Sequence, residues 1–278
     1  MPLPAKAFQR WLHGIAPDTS MADVCRLSKV KRTTLAQQLV RGKVAEATVV
    51  SISRAFGVNP VDSLAYFENY RDLAGPQIPP SPQELVSQIA TVDLLSAVIA
   101  RSAPAAEGGV EGGAGAEAET GTGAGLEAGA GQGTGPAGSA RPRRPAPLKL
   151  SPAPHATSVK NWVDAIDDGE LRHRVSAATG IAPQNYSAQL TANRLAPEVA
   201  IATSRAAGVG LTGGLVATGL ITEEEAGWEP GARQTALDRL TDGELTALAG
   251  ERLQALGKTL RRQEQDQEQT EKIWENLG

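Results

Sequence analysis

The chain has 278 residues, a formal net charge of -4 and 4% aromatic residues, while glycine alone fills 30 positions. That length suits one or two domains, few aromatic side chains beside abundant glycine and alanine mean that much of the chain cannot belong to a large core, and the mildly acidic balance argues against a generally basic nucleic-acid coat protein. Cys25 is the only cysteine, which excludes an internal disulfide and fits a reducing cytoplasm. No apolar stretch approaches the roughly 20 residues that a bilayer requires, and no signal-peptide pattern opens the chain. The expectation is a soluble, cytoplasmic protein with no membrane partner.

Residues 1–75 predict five short helices. Phe8, Trp11, Leu12 and Ile15 recur at helical spacing. Met21, Val24, Cys25 and Ser28 follow, with Ser20 as N-cap and Asp23 three residues on, where a capping box has its acid. A turn at Lys29-Val30-Lys31 leads to a helix carrying Leu35 and Leu39, which Gly42 ends. The next helix runs from Ala47 to Phe56 on Val49, Val50, Ile52 and Phe56. Gly57-Val58-Asn59-Pro60 closes it and opens a fifth helix with Val61, Leu64, Ala65 and Phe67, Pro60 suiting its first position. No segment alternates with period two, so no strands are expected. Over 82–101, Leu85, Ile89, Val92, Leu95 and Ile99 make the apolar face of a trailing helix.

Composition changes at Ser102, and residues 102–157 read as a disordered Gly/Ala/Pro-rich linker, stiffer and extended from Arg141 to Pro154. About 55 such residues, at roughly 5–6 Å times the square root of length, place the ends on the order of 40 Å apart. One turn of duplex DNA is about 34–36 Å, a match that the linker permits without requiring it.

Beyond the linker the first segment returns. A shift of 151 positions, with no gap, lays Trp11 on Trp162, Val24 on Val175 and Gln38-Leu39 on Gln189-Leu190. It also lays Ser53-Arg54-Ala55 on Ser204-Arg205-Ala206, Leu94 on Leu245 and Arg101 on Arg252. A constant offset with matches at apolar and glycine positions indicates a repeated fold, here a second domain over 158–225. A C-terminal helix is expected over 232–278, apolar on Leu237, Leu240, Leu245, Leu248, Leu253, Leu256 and Leu260 and solvated from Arg261 to Glu271. The copies differ in charge. Residues 1–75 hold ten Lys/Arg against six Asp/Glu, and residues 156–230 hold five against nine.

Met21 to Leu39 resembles the helix-turn-helix of the phage-repressor-like (Xre or lambda-repressor-like) DNA-binding domains. Val24 stands in the apolar slot of the first helix, Cys25 in the next slot (usually Ala), Val30 after the turn and Leu35 as anchor of the second helix. Arg41-Gly42-Lys43 resembles the family's closing Arg/Asn-Gly-Lys, and Val49 through Ala55-Phe56-Gly57-Val58 resembles its next helix. The resemblance covers 6–70 and, more faintly, 157–220. It departs at Lys29, where the family has a turn glycine, and in the stretch from Leu35 to Gly42, which is one residue longer. It implies an all-α fold: two lambda-repressor-like helix-turn-helix bundles, each followed by a helical segment, joined by the disordered linker.

In that geometry the N-terminal half of the second helix enters the major groove. Arg32, Thr33, Thr34, Gln37 and Gln38 are then the base-reading candidates: Arg pairs bidentately with guanine, Gln with adenine, and Thr meets a polar edge or a thymine methyl. Lys29, Lys31, Arg41 and Lys43 flank them as phosphate contacts, and no carboxylate interrupts Lys29 to Lys43. In the second copy, Thr179-Gly180-Ile181-Ala182-Pro183 supplies the turn. Gln184, Asn185, Tyr186 and Ala188 form its candidate face, and Arg194 its one nearby phosphate partner. Acids at Asp164, Asp167, Asp168, Glu170 and Glu198 oppose an electrostatic approach to DNA. A weaker second reader and a fold kept for protein contacts both remain open.

Nothing points to catalysis, a cofactor or a metal. Cys25 reads as a buried small apolar side chain, and His13, His155 and His173 are scattered. Asp167-Asp168-Gly169-Glu170 reads as a cap for the following helix. The expected function is a sequence-specific, nucleoid-associated transcriptional regulator of bacterial type that binds double-stranded DNA. The alternative is a non-enzymatic adaptor or antitoxin-like partner that docks proteins on the same bundles. The trailing helices pack by default on their own bundles, and homodimerisation through the C-terminal helices is the other arrangement.

Overall fold

The computed structural model describes residues 2–102 and 149–277, and the expected linker lies, from 103 to 148, outside the described residues. In the first half, α1 (Ala5–Ile15), α2 (Met21–Ser28), α3 (Arg32–Val40), α4 (Glu46–Ala55) and α5 (Pro60–Ala65) lead through a 3-10 turn (Glu68–Ala74) to α6 (Pro82–Ser87) and α7 (Thr91–Ser102). The second half holds α8 (Ser158–Ile166), α9 (Leu171–Thr179), α10 (Pro183–Thr191), α11 (Pro197–Ala207), α12 (Leu211–Ala217), α13 (Ala232–Arg239) and α14 (Asp242–Leu277). The described chain is mostly helical. No helix in it is long and apolar enough to cross a membrane.

The helix order of the first half recurs in the second. The backbone recurs with it at three left-handed positions spaced by the same offset: Lys29 with Gly180 (φ 58 and 71), Gly42 with Asn193 (72 and 51), and Gly57 with Gly208 (67 and 71). Residue type changes at two of these pairs while the left-handed turn persists. Each ends a helix, where a left-handed residue lets the chain leave the axis.

A short strand pair departs from the expectation of none. β1 (Leu3–Pro4) pairs antiparallel with β2 (Lys43–Val44), Leu3 opposite Val44, and the Ala5 amide donates to Gly42 O. Two residues per strand are too few for alternation to appear in sequence. Leu3 and Val44 are fully buried, so the pair closes one end of the first core.

That core gathers Phe8, Trp11, Leu35, Val49, Ile52, Leu64 and Phe67, and it runs without interruption into Trp162, Val175, Tyr186, Ile201 and Leu215 of the second half. A second cluster joins Val86, Ile89, Leu94 and Ala97 to Ala236, Leu237, Leu245 and Ala249. The trailing helices therefore pack on each other, α7 against α14 and α6 against α13. Each pair consists of elements that correspond under the repeat. The single trailing helix expected over 82–101 is two, α6 and α7, and its apolar face is corrected: Val92 and Ile99 are 68% and 69% exposed, and the buried face of α7 carries Leu94 and Ala97. A helical period defines a stripe, but where the neighbouring helix crosses decides which edge of it is covered.

Two ion pairs approximate this reciprocity, with the arginines at corresponding positions and the acids two residues out of register. Arg54, near the end of α4, donates to Glu225 at 2.6 Å, and its repeat counterpart Arg205 donates to Asp72 at 2.5 Å. Arg54 also reaches Leu220 O, and Asn59 donates to Glu225 O. The Arg54 guanidinium holds the Glu225 carboxyl below the usual carboxylate range. Such an exchange of like contacts is the signature of an isologous pair. It breaks at α6, which packs on α8, where the Glu84 carboxylate accepts from Trp162 Nε1 at 3.2 Å. No contact of similar extent joins α13 to α1 among the described residues.

The linker boundary is also corrected. Residues 149–157 belong to the fold: Leu150 packs on the second cluster, the Asp93 carboxylate accepts from Ser151 N (2.8 Å) and Oγ, and Arg233 donates to Ser151 O. His155 Nε2 lies 3.1 Å from Ser87 O, and burial lowers the His155 pKa. Prolines that read as a spacer are tied down by side chains distant in sequence.

Candidate nucleic-acid interface

The candidate interface is built on α2, its turn and α3. Ser20 caps α2 by accepting from Asp23 N at 3.2 Å, and its hydroxyl donates to the Asp23 carboxylate at 2.7 Å. Ser20 and Arg26 hold that carboxyl below its usual range. Val24 and Cys25 are buried where the helices meet, Cys25 with a free thiol. Lys29 takes the left-handed turn that the expected glycine would take, and Lys31 stands extended as the N-cap of α3. Leu35 is buried beneath α3, with Val30 and Leu39 partly buried beside it.

This anchoring turns Arg32, Thr33, Thr34 and Gln37 outward, all exposed. Ala36 and Val40 share that face, Val40 at 88% exposure, and were not singled out from sequence. Each lies three residues on from a candidate, Ala36 from Thr33 and Val40 from Gln37, and that spacing is the signal for a shared face. Lys29, Lys31, Arg41 and Lys43 are exposed around the helix, Lys43 held on β2 opposite Pro4. None of these cations enters an ion pair among the described residues, so their charge is free to meet an anion.

Gln38 does not belong to this face. Its Oε1 accepts from Ala45 N at 3.3 Å and from Thr48 Oγ1 at 3.0 Å, bracing the end of α3 against α4. One helical turn separates Thr34 from Gln38, yet α4 closes over only the second.

The second half places Gly180 at the left-handed turn and Pro183 at the start of α10, with Gln184, Asn185, Ala188 and Arg194 exposed. Tyr186 is corrected from candidate reader to core. It is fully buried, its hydroxyl lies 3.0 Å from Thr203 Oγ1, and burial raises its pKa. An aromatic ring beside a turn reads equally well as contact or core in sequence, and the apolar space between α10 and α11 takes it.

The acids of this half are largely answered from within. Asp167 Oδ1 accepts from Gly169 N and Leu171 N, capping α9 as expected. Asp164 pairs with Lys160 and Arg172, Asp167 also with Arg172, and Asp168 with Arg174, which holds the Asp168 carboxyl below its usual range. Among the described residues no three His, Cys, Asp or Glu side chains converge as a metal site.

Lys29 allows a direct test of the turn. A non-glycine residue in the left-handed region costs about 1–2 kcal/mol, partly offset by the greater chain entropy that glycine loses. Lys29→Gly is therefore expected to stabilise the protein by about 0.5–1 kcal/mol, measured as a higher urea midpoint at unchanged slope. Lys29→Ala, which keeps the strain, should show no such gain.

No family model, curated protein or solved structure matches the chain.

Proposed function

We propose that the two halves are copies of one phage-repressor-like helix-turn-helix bundle, and that the chain is a sequence-specific transcriptional regulator reading double-stranded DNA chiefly through α3. The observation that carries this reading is the outward face of α3. It offers Arg32, Thr33, Thr34 and Gln37 along its first two turns, flanked by four unpaired cations with no carboxylate between Lys29 and Lys43. A helix of this width fits the major groove, bidentate donors read base edges, and flanking cations fix orientation through phosphates. The α10 face carries Gln184 and Asn185 with Arg194 as its cation, so it adds less electrostatic attraction. Being polar and nearly uncharged, it also fits a protein surface, the alternative role for the second half.

The test is selection from a randomised duplex pool at moderate salt with the whole chain, since the halves share a core. One enriched motif is expected. Its loss on changing α3, and its persistence on changing Gln184 and Asn185, would assign reading to α3. If no motif is enriched, and a protein partner stays bound after nuclease treatment, docking replaces DNA reading. Lys43→Ala should weaken binding to all duplexes alike and reduce the salt slope by about 1.

A further inference from the structure

A cleft of about 980 Å3 lies between the middle of α14 and the face made by α6, α8 and the end of α10. Val86, Leu190, Leu240, Leu248, Leu256 and Leu260 give it apolar walls, and Arg252 lines it from α14. Its size falls in the usual range for small-molecule sites, about 300–1,000 Å3.

The repeat supplies an internal control for Arg252. Its counterpart Arg101 is fully engaged, donating to Leu240 O at 2.6 Å, Leu237 O at 2.8 Å and the Asp242 carboxylate at 3.2 Å. The position corresponding to Asp242 is Thr91, so the carboxylate that answers Arg101 has no equivalent opposite Arg252. Arg252 Nη1 is buried, and no described group accepts from it. Burial pulls the Arg252 pKa down to about 10. A buried donor left unanswered is costly, and more so when it is charged.

The other charges facing the cleft are already spoken for or stand at its edge. Asp164 pairs with Lys160 and Arg172, and Glu244 accepts from Thr241 N and Oγ1. Glu251 is exposed, and Arg239 lies on the α13 side. The lining carries Lys160, Arg239 and Arg252 against Asp164, Glu244 and Glu251, with Asp164 and Glu251 acting on Arg252 through their charge alone, and this near-balance disfavours a multiply charged phosphate and suits a single negative charge. The leucines suit a hydrocarbon.

We propose that this cleft binds an amphipathic carboxylate, its headgroup on the Arg252 guanidinium and its apolar body along Leu190, Leu248 and Leu256. The ligand takes the place that the Asp242 carboxylate takes for Arg101. A bound molecule of this kind touches α6, α8, α10 and α14 together, so it bears on how the second half sits against the trailing helices. The site is independent of whether the chain reads DNA.

Calorimetric titration of the whole chain with octanoate, octanol and octylammonium, all below micellar concentrations, tests this. Octanoate is expected to bind one per chain and at least about tenfold more tightly than octanol, with octylammonium weakest. Arg252→Met should reduce octanoate to the level of octanol. Because it removes an unanswered buried charge, it should also raise the melting temperature of the ligand-free protein by about 2–4 °C. Equal affinity for octanoate and octanol, or octanoate binding unchanged by Arg252→Met, would overturn the proposal. So would no octanoate binding at all, or a fall in the melting temperature of the ligand-free variant, which would make Arg252 a structural strut.

Discussion

Replacing Trp162 with alanine is expected to lower the unfolding free energy by about 3–5 kcal/mol, the usual cost of removing a large buried aromatic side chain. The ring is fully buried, and two glycines of α12 lie directly against it. A Cβ on Gly214 would stand 2.7 Å from the ring and 2.9 Å from Ala200 O, and one on Gly213 would stand 3.3 Å from Nε1. The indole also holds α6 of the first half against α8 of the second through Glu84. Trp162→Phe should cost less, about 1–2 kcal/mol, by retaining most of the packing while leaving Glu84 short of a donor. Gly214→Val should destabilise by about 1–3 kcal/mol through overpacking of the same contact. Urea unfolding followed by circular dichroism measures all three, and a loss below about 1 kcal/mol for Trp162→Ala would contradict the packing described.

Arg32→Ala combined with Gln37→Ala should weaken binding to the selected duplex by roughly 100-fold or more, since each good bidentate contact discriminates by about 1–3 kcal/mol. Binding to random duplex should change much less, because the phosphate contacts remain. Gln38→Ala is the control. It should cost about 1 kcal/mol of folding stability by leaving Ala45 N and Thr48 without their acceptor, with sequence preference unchanged. If Gln38→Ala altered preference as strongly as the double variant, the reading face assigned to α3 would be wrong.

Much of the helix framework was legible because it rests on local chemistry. Ser20 announces α2, Pro183 opens α10, and the left-handed stops recur whether the residue is glycine, asparagine or lysine. What could not be read locally was decided by neighbours far along the chain. Gln38 and Tyr186 sit on polar helix stretches, and only the position of α4 and α11 turns them inward. Val92 and Ile99 continue a regular apolar stripe, yet α14 crosses on its other edge. Residues 149–157 have the composition of a spacer, and Asp93 and Arg233 make them part of the body. Lys29 departs from glycine in type and agrees with it in backbone, so it misleads a reading by residue identity and not one by conformation.

The reciprocal packing of α6 and α7 on α13 and α14 has a consequence for response. Partners that meet as separate chains come apart on dilution, and their occupancy of a target rises with the square of their amount. Here the two counterparts are covalently one, so pairing is insensitive to expression level. On the proposed DNA-reading function, duplex titrations should then follow a simple hyperbola. The fusion also releases the halves from identity: a self-paired chain presents the same face twice, whereas the exposed faces of α3 and α10 differ in charge.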